Sequence, residues 1–140
     1  MFRLKHPTID IAIICSDFEE SLHFYQDLLG LEVALDIDIP AATAVAANLA
    51  PTGFRQIRLK AGNTLIKLVE AADPPPGRTL DFQAGVRWLT FLIGDVPGTV
   101  KALTEKGVKF SSEPVSAPDA KHVVCAEAPD GMLIEFVQVN

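Results

Sequence analysis

From Thr8 onward the run Ile9-Asp10-Ile11-Ala12-Ile13-Ile14-Cys15 is rich in β-branched residues and predicts a strand, closed by the polar step Ser16-Asp17. The period then changes. Phe18, Leu22, Tyr25 and Leu29 recur at helical spacing and predict a helix over about residues 17–29, with Ser16 and Glu19 as a capping box and Gly30 as a left-handed stop. Strand alternation returns at 31–37, 54–60 and 64–69, the last two joined by a turn at Ala61-Gly62-Asn63. The first half reads βαβββ. Between its second and third strands lies an Ala-rich insertion, 38–52, which reads as a short helix or a loop.

The stretch Asp73-Pro74-Pro75-Pro76-Gly77 suits neither a helix nor a central strand and predicts a linker, after which the order begins again. Residues 86–93 form a strand, and Gly94-Asp95 opens a helix with Val96, Val100 and Leu103 on one face, ended by Gly107. Strands at 109–113, 122–127 and 132–139 follow, the last two joined by Pro129-Asp130-Gly131. The halves match at Ser16-Asp17 with Gly94-Asp95, at Leu29-Gly30-Leu31 with Lys106-Gly107-Val108, and at Gly62-Asn63-Thr64-Leu65-Ile66-Lys67-Leu68 with Asp130-Gly131-Met132-Leu133-Ile134-Glu135-Phe136. That is an internal repeat of roughly 70 to 80 residues. The chain is thus expected to be one domain over 1–140, built from modules at 8–70 and 85–139 with a linker at 71–84.

Strand alternation splits each sheet into two faces. Ile9, Ile11, Ile13, Ile57, Leu59, Ile66, Leu68, Leu89, Phe91, Ile93, Ile134 and Phe136 make one wholly apolar face, suited to packing under the helices. The other carries Asp10, Ala12, Gln56, Arg58, Leu65, Lys67, Trp88, Thr90, Leu133 and Glu135, and no further helix exists to cover it. A polar face of this kind is expected to be a ligand cleft or an interface.

Composition narrows the partners. The chain has 140 residues, 49% hydrophobic and 21% charged, an ordinary globular balance, and its net charge of −6 disfavours nucleic acid. The longest apolar run, 11–15, is far too short to span a bilayer, and with no signal-peptide pattern at the N-terminus the expected location is cytoplasmic. Cys15 and Cys125 lie inside strand-like segments and read as buried reduced thiols. His6, His23 and His122 form no spaced metal motif, and no nucleophilic triad or phosphate loop is present in the pattern.

Three segments carry a family resemblance: Ile9 through Asp17 as quoted above, Ser21-Leu22-His23-Phe24-Tyr25-Gln26-Asp27-Leu28-Leu29-Gly30-Leu31-Glu32-Val33, and Pro129-Asp130-Gly131-Met132-Leu133-Ile134-Glu135-Phe136. Together they resemble the vicinal oxygen chelate superfamily, which includes glyoxalase I, bleomycin-resistance proteins and extradiol dioxygenases. The resemblance spans about 8–139 and implies an α+β fold in which two βαβββ modules form a curved, partly open eight-stranded sheet with helices on the outer face. It also implies four metal-ligand positions, usually His, Glu, His and Glu, which fall here on Asp10, Lys67, Trp88 and Glu135. Only Glu135 is unaltered. A protonated lysine and an indole offer a divalent metal no lone pair, so no metal or other cofactor is expected.

The leading expectation is a metal-independent protein of the bleomycin-resistance type that binds a small molecule, with Trp88 stacking on it and Lys67, Glu135, Asp10, Arg58 and Gln56 addressing its polar groups. Lys67 and Glu135 are read equally as a structural salt bridge. The enzymatic alternative is a glyoxalase- or dioxygenase-type reaction, with metal held partly by Asp10 and Glu135 or with Glu135 as catalytic base; a nearby Lys67 would lower the carboxyl's pKa and oppose the latter. A third reading makes the polar face a homodimer interface, with modules paired within or exchanged between chains.

Overall fold

A computed structural model describes the whole chain, residues 1–140, as two compact units, Met1–Pro76 and Gly77–Asn140. Each unit is a βαβββ module with a four-stranded sheet. In the first, β1 (Ile11–Ile14), β2 (Val33–Ile39), β3 (Phe54–Ala61) and β4 (Thr64–Glu70) lie in the order β1-β4-β3-β2. In the second, β5 (Trp88–Leu92), β6 (Val115–Ala117), β7 (Ala120–Glu127) and β8 (Leu133–Gln138) repeat that order as β5-β8-β7-β6. The first strand of each module runs parallel to the last and the remaining pairs are antiparallel. The repeated sequence pattern is therefore a repeated topology, and the α+β fold of two βαβββ modules is present.

One helix follows the first strand of each module. In the first unit this is α1 (Phe18–Leu22), capped by Asp17, whose extended backbone (φ −134°, ψ 100°) lets its carboxylate accept from the Glu20 N–H at 3.1 Å. The N-cap is therefore Asp17 rather than Ser16. The helix widens into a π-helical stretch at His23–Leu28, where the Leu29 N–H reaches the Phe24 carbonyl at 2.9 Å, and the adjacent rings of Phe24 and Tyr25 are both buried, edge to face at 5.0 Å. The Ala-rich insertion is a further short helix, α2 (Ala41–Ala46), preceded by an extension of β2 to Ile39. In the second unit the longer α3 (Val96–Glu105) is capped by Asp95, which accepts from the Gly98 N–H at 3.0 Å. Burying apolar strand positions under α1 and α3 forms the cores: Ile13, Ile57, Leu59, Ile66 and Leu68 in the first unit, Leu89, Val124, Ala126, Ile134 and Phe136 in the second.

Three expectations change. Ile9 is 67% exposed rather than part of the core: β1 pairing begins only at Ile11, opposite Ile66. Phe91 and Ile93, near the end of their strand, are only partly buried. The sixth strand is 115–117, not 109–113. Phe110 makes a single bridge to Ala126 and the Ser111 N–H reaches the Cys125 carbonyl at 2.9 Å, but pairing resumes only where Val115 meets Val123. The chain takes five steps on one side against three on the other, and Pro114, without an N–H to donate, sits in the excursion.

The linker segment is tied down at its second half. The Arg78 guanidinium donates to the carbonyl of Val86 at 3.0 Å, and Arg87 donates to that of Leu80 at 2.8 Å while lying 5.4 Å from the Phe82 ring. No helix is long and apolar enough to cross a membrane.

Two glycines separate backbone strain from steric exclusion. At Gly30 (φ +75°) an added methyl group would meet open space, whereas the same group on Gly131 (φ +71°) would collide with the Thr79 carbonyl oxygen. Gly30→Ala should cost about 1 kcal/mol, the left-handed penalty alone, and Gly131→Ala at least about 2 kcal/mol, measured by urea unfolding.

Candidate functional site

Strand alternation places the polar positions on the face of each sheet opposite its helix. In the first unit Lys67 of β4 lies between Ala12 of β1 and Arg58 of β3, with Leu35 of β2 beyond. Asp10 precedes β1 and turns toward β4. One of its carboxylate oxygens accepts from the Leu65 N–H at 3.1 Å and the other is 3.6 Å from the Lys67 ammonium. The side chains of Lys67 and Asp10 are 26% and 35% exposed, so this partly screened pair is a fixed feature of the face rather than a mobile surface contact. Arg58 donates its Nε to the Gln56 side-chain oxygen at 2.7 Å, and Gln56 is buried. Of the residues predicted on this face, Asp10 with Lys67 and Arg58 with Gln56 are thus brought together as two pairs.

The second unit carries the matching positions. Thr90 of β5 stands opposite Glu135 of β8 and its hydroxyl donates to the carboxylate at 2.6 Å. Trp88, two residues before Thr90 on the same face, is half exposed. Across the next ladder Cys125 of β7 faces Glu135. Burial pushes the Cys125 thiol above its ordinary range, the Glu135 charge adds to the rise, and Arg87 opposes both. Each of the two charged residues has a contact within its own unit: Asp10 reaches Lys67 by turning back over the first sheet, and Glu135 accepts from Thr90 on the neighbouring strand.

A divalent ion needs three or four oxygen, nitrogen or sulfur donors converging on one point. At the four family positions the side chains are a carboxylate, an ammonium already paired with it, an indole and a second carboxylate. No group of three or more His, Cys, Asp or Glu side chains comes together. The donor set does not fit a resident metal. His23 is an exposed helix residue whose Nδ1 lies 2.8 Å from the Asp27 carboxylate.

Two parts of the site are visible only in three dimensions. Alternation puts Thr90 on the polar face without naming Glu135 as its partner, and it gives Cys125 no neighbour at all. In the first unit the same alternation, carried one step further, puts Ile14, Phe54 and Val69 on the face of Lys67 and Arg58. Ala44 of α2 is buried against Phe54 and Val69, so the insertion folds over one end of that face.

Native-state alkylation of Cys125 by iodoacetamide, followed by peptide mass, should rise with pH along a curve displaced above that of free cysteine. Glu135→Gln, which removes a like charge from beside the thiolate, should move the curve to lower pH, and Arg87→Gln to higher pH.

Comparison with known proteins agrees with this architecture. The family model described as the Glyoxalase/Bleomycin resistance protein/Dioxygenase superfamily matches residues 3–136. YwkD of Bacillus subtilis (strain 168) is 33% identical over 105 residues, covering 75% of this chain and 73% of that one, and YaeR of Escherichia coli (strain K12) is 27% identical, covering 91% and 92%. Among solved structures, a glyoxalase family protein from Bacillus cereus superposes with a TM-score of 0.76 at 16% identity, covering 99% of this chain and 98% of that one. TnmS3, an antibiotic binding protein from Streptomyces sp. CB03234, superposes with a TM-score of 0.69 at 21% identity, covering 99% and 100%. With two βαβββ modules in matching strand order and a family match across nearly its full length, the chain belongs to the Glyoxalase/Bleomycin resistance protein/Dioxygenase superfamily.

Proposed function

We propose that the protein binds a small organic molecule on the polar faces of its sheets without using a metal. The observation that carries this reading is the Lys67–Asp10 ion pair at 3.6 Å, which puts an internally neutralised contact where a metal site would require two donors. What the polar faces offer instead is hydrogen-bond donors and acceptors, Lys67, Arg58 and Asp10, in the first unit, and a half-exposed aromatic ring, Trp88, with the Glu135 carboxylate in the second. Such groups recognise a ligand by complementary polarity and stacking, and sequestration needs no bond to be made or broken. The same fold in TnmS3 belongs to an antibiotic binding protein, which is a precedent for the fold in that role.

Protein purified without chelator should contain no stoichiometric divalent metal, and addition of zinc, nickel or manganese should leave the fluorescence of Trp88, the single tryptophan, unchanged. A screen of small aromatic and anionic compounds by the same fluorescence should find ligands. Tightly bound metal that disappears in Glu135→Ala would overturn the reading in favour of a metal-dependent reaction.

A specific feature of the second sheet favours an additional reading, that its polar face also meets a second copy of the chain. Leu92, Val137, Val123 and Val115 form one apolar row straight across β5, β8, β7 and β6, and its two end residues are 72% and 55% exposed. Sedimentation velocity should show a dimer, and Leu92→Glu should shift it toward monomer; a monomer at all concentrations would reject the interface.

A further inference from the structure

The insertion that interrupts the first module builds a pocket on the ligand-bearing face. α2 runs over the end of the sheet, with Ala44 buried on Phe54 and Val69 and with Ile39 and Ala50 packed around them. The chain reverses at Asn48 (φ 57°), the Leu49 N–H closing on the Ala44 carbonyl at 2.8 Å, so that residues 49–52 return over the same strands. Beneath them is a cavity of about 240 Å³ whose principal walls are Ile14, Leu49, Pro51, Phe54, Val69 and Pro75. Leu49 is 59% exposed and Ile14 43%, so the cavity opens to solvent rather than being sealed in the core.

Its walls are mostly apolar, with Thr52 and Asp73 as the polar residues among them. A buried apolar cavity of roughly 150 Å³ already admits a benzene-sized guest. This one has room for a single substituted ring or a branched chain of comparable bulk.

The neighbouring polar groups specify the other end of the guest. Side chains at 54, 56 and 58 share one face of β3, and successive members of that row are about 7 Å apart along a strand. The bond from Arg58 Nε to Gln56 Oε1 at 2.7 Å draws the guanidinium along the strand toward the pocket. Lys67 and Asp10 cancel one another as an ion pair, whereas Arg58 has a neutral amide as its partner and no carboxylate. Lys60, the next member of that row, has Glu32 at 3.9 Å, which leaves Arg58 as the cation of the row without a carboxylate, in the planar form that binds carboxylates through two parallel hydrogen bonds. Asp73 on the pocket wall disfavours an anionic group at that end.

We propose that the first unit recognises an amphiphilic organic anion, with an aromatic or branched aliphatic body in the pocket under residues 49–52 and a carboxylate or similar planar anionic group on Arg58. This rests on the small-molecule reading above and adds the chemical class of the ligand.

The test uses the full-length protein with methyl-labelled Ile, Leu and Val and a labelled indole, titrated with 4-phenylbutanoate and with the neutral, nearly isosteric 4-phenylbutanamide. Methyl signals of Ile14, Leu49 and Val69 should shift with both compounds, and the carboxylate should bind about tenfold more tightly. Arg58→Gln should bring the two affinities together, and Ala72→Phe, a change at an exposed residue on the pocket wall, should abolish both titrations. Pocket methyls that respond to neither compound, or equal affinities in the unaltered protein, would overturn the proposal. The latter comparison needs no variant and therefore stands even where a substitution prevents folding. Failure of this proposal is distinguishable from failure of the broader reading: still pocket methyls with a Trp88 indole that responds to other small molecules remove only the anion pocket, whereas stoichiometric bound metal removes the broader reading itself.

Discussion

A β-strand directs successive side chains to opposite faces, and each module of this protein supplies one helix to lie along its sheet. Only one face of each sheet is covered in this way. Ile57, Leu59, Ile66 and Leu68 occupy the covered face of the first sheet, and their burial holds β3 and β4 in a single register, because a shift by one residue would drive all four toward solvent and pull Gln56, Arg58 and Lys67 under the helix. The core thus positions the site. No residue of the polar row needs to stabilise the fold for that row to be held in place, which leaves its chemistry free to vary within the family.

That freedom shows in the groups the two polar faces carry. In the first module Asp10 is the counter-ion of Lys67. The second module keeps Glu135 and gives it the Thr90 hydroxyl as a local donor. Each carboxylate has a partner within its own unit, so neither is presented as a bare charge awaiting a cation. The Ala-rich insertion departs from the repeat, and it does so over the polar face: small side chains let α2 approach the sheet closely enough to bury Ala44 on Phe54 and Val69, while Leu49 and Pro51 follow to wall a cavity.

Much of the fold is legible in the sequence because it rests on local pattern. The two-residue and helical periods, the glycine stops and the repeated turn before the last strand of each module predict eight strands in the correct order, and the same periods separate the core face from the polar face. The departures arise where pairing partners decide. Ile9 has the composition of a strand residue but precedes the first paired residue of β1, and the sixth strand begins only after Pro114, which has no N–H to give a ladder. The helix that begins at Phe18 loosens into a π-helical turn that buries two consecutive aromatic residues, a choice made by the core and not by helical spacing.

The residue types on the polar faces were determined by the sequence alone, since alternation along a strand is a local property and a protonated lysine or an indole cannot be a metal donor wherever it is placed. Which groups touch was decided by the tertiary structure. Asp10 meets Lys67, far along the chain, only because β1 and β4 are parallel neighbours, and Thr90 meets Glu135 for the same reason in the second sheet. The pocket under residues 49–52 is of the same kind: alternation places Ile14, Phe54 and Val69 on the polar face, but a stretch of alanines bears no mark of the surface it will cover, and only the return of the chain over those strands creates a volume that a ligand can fill.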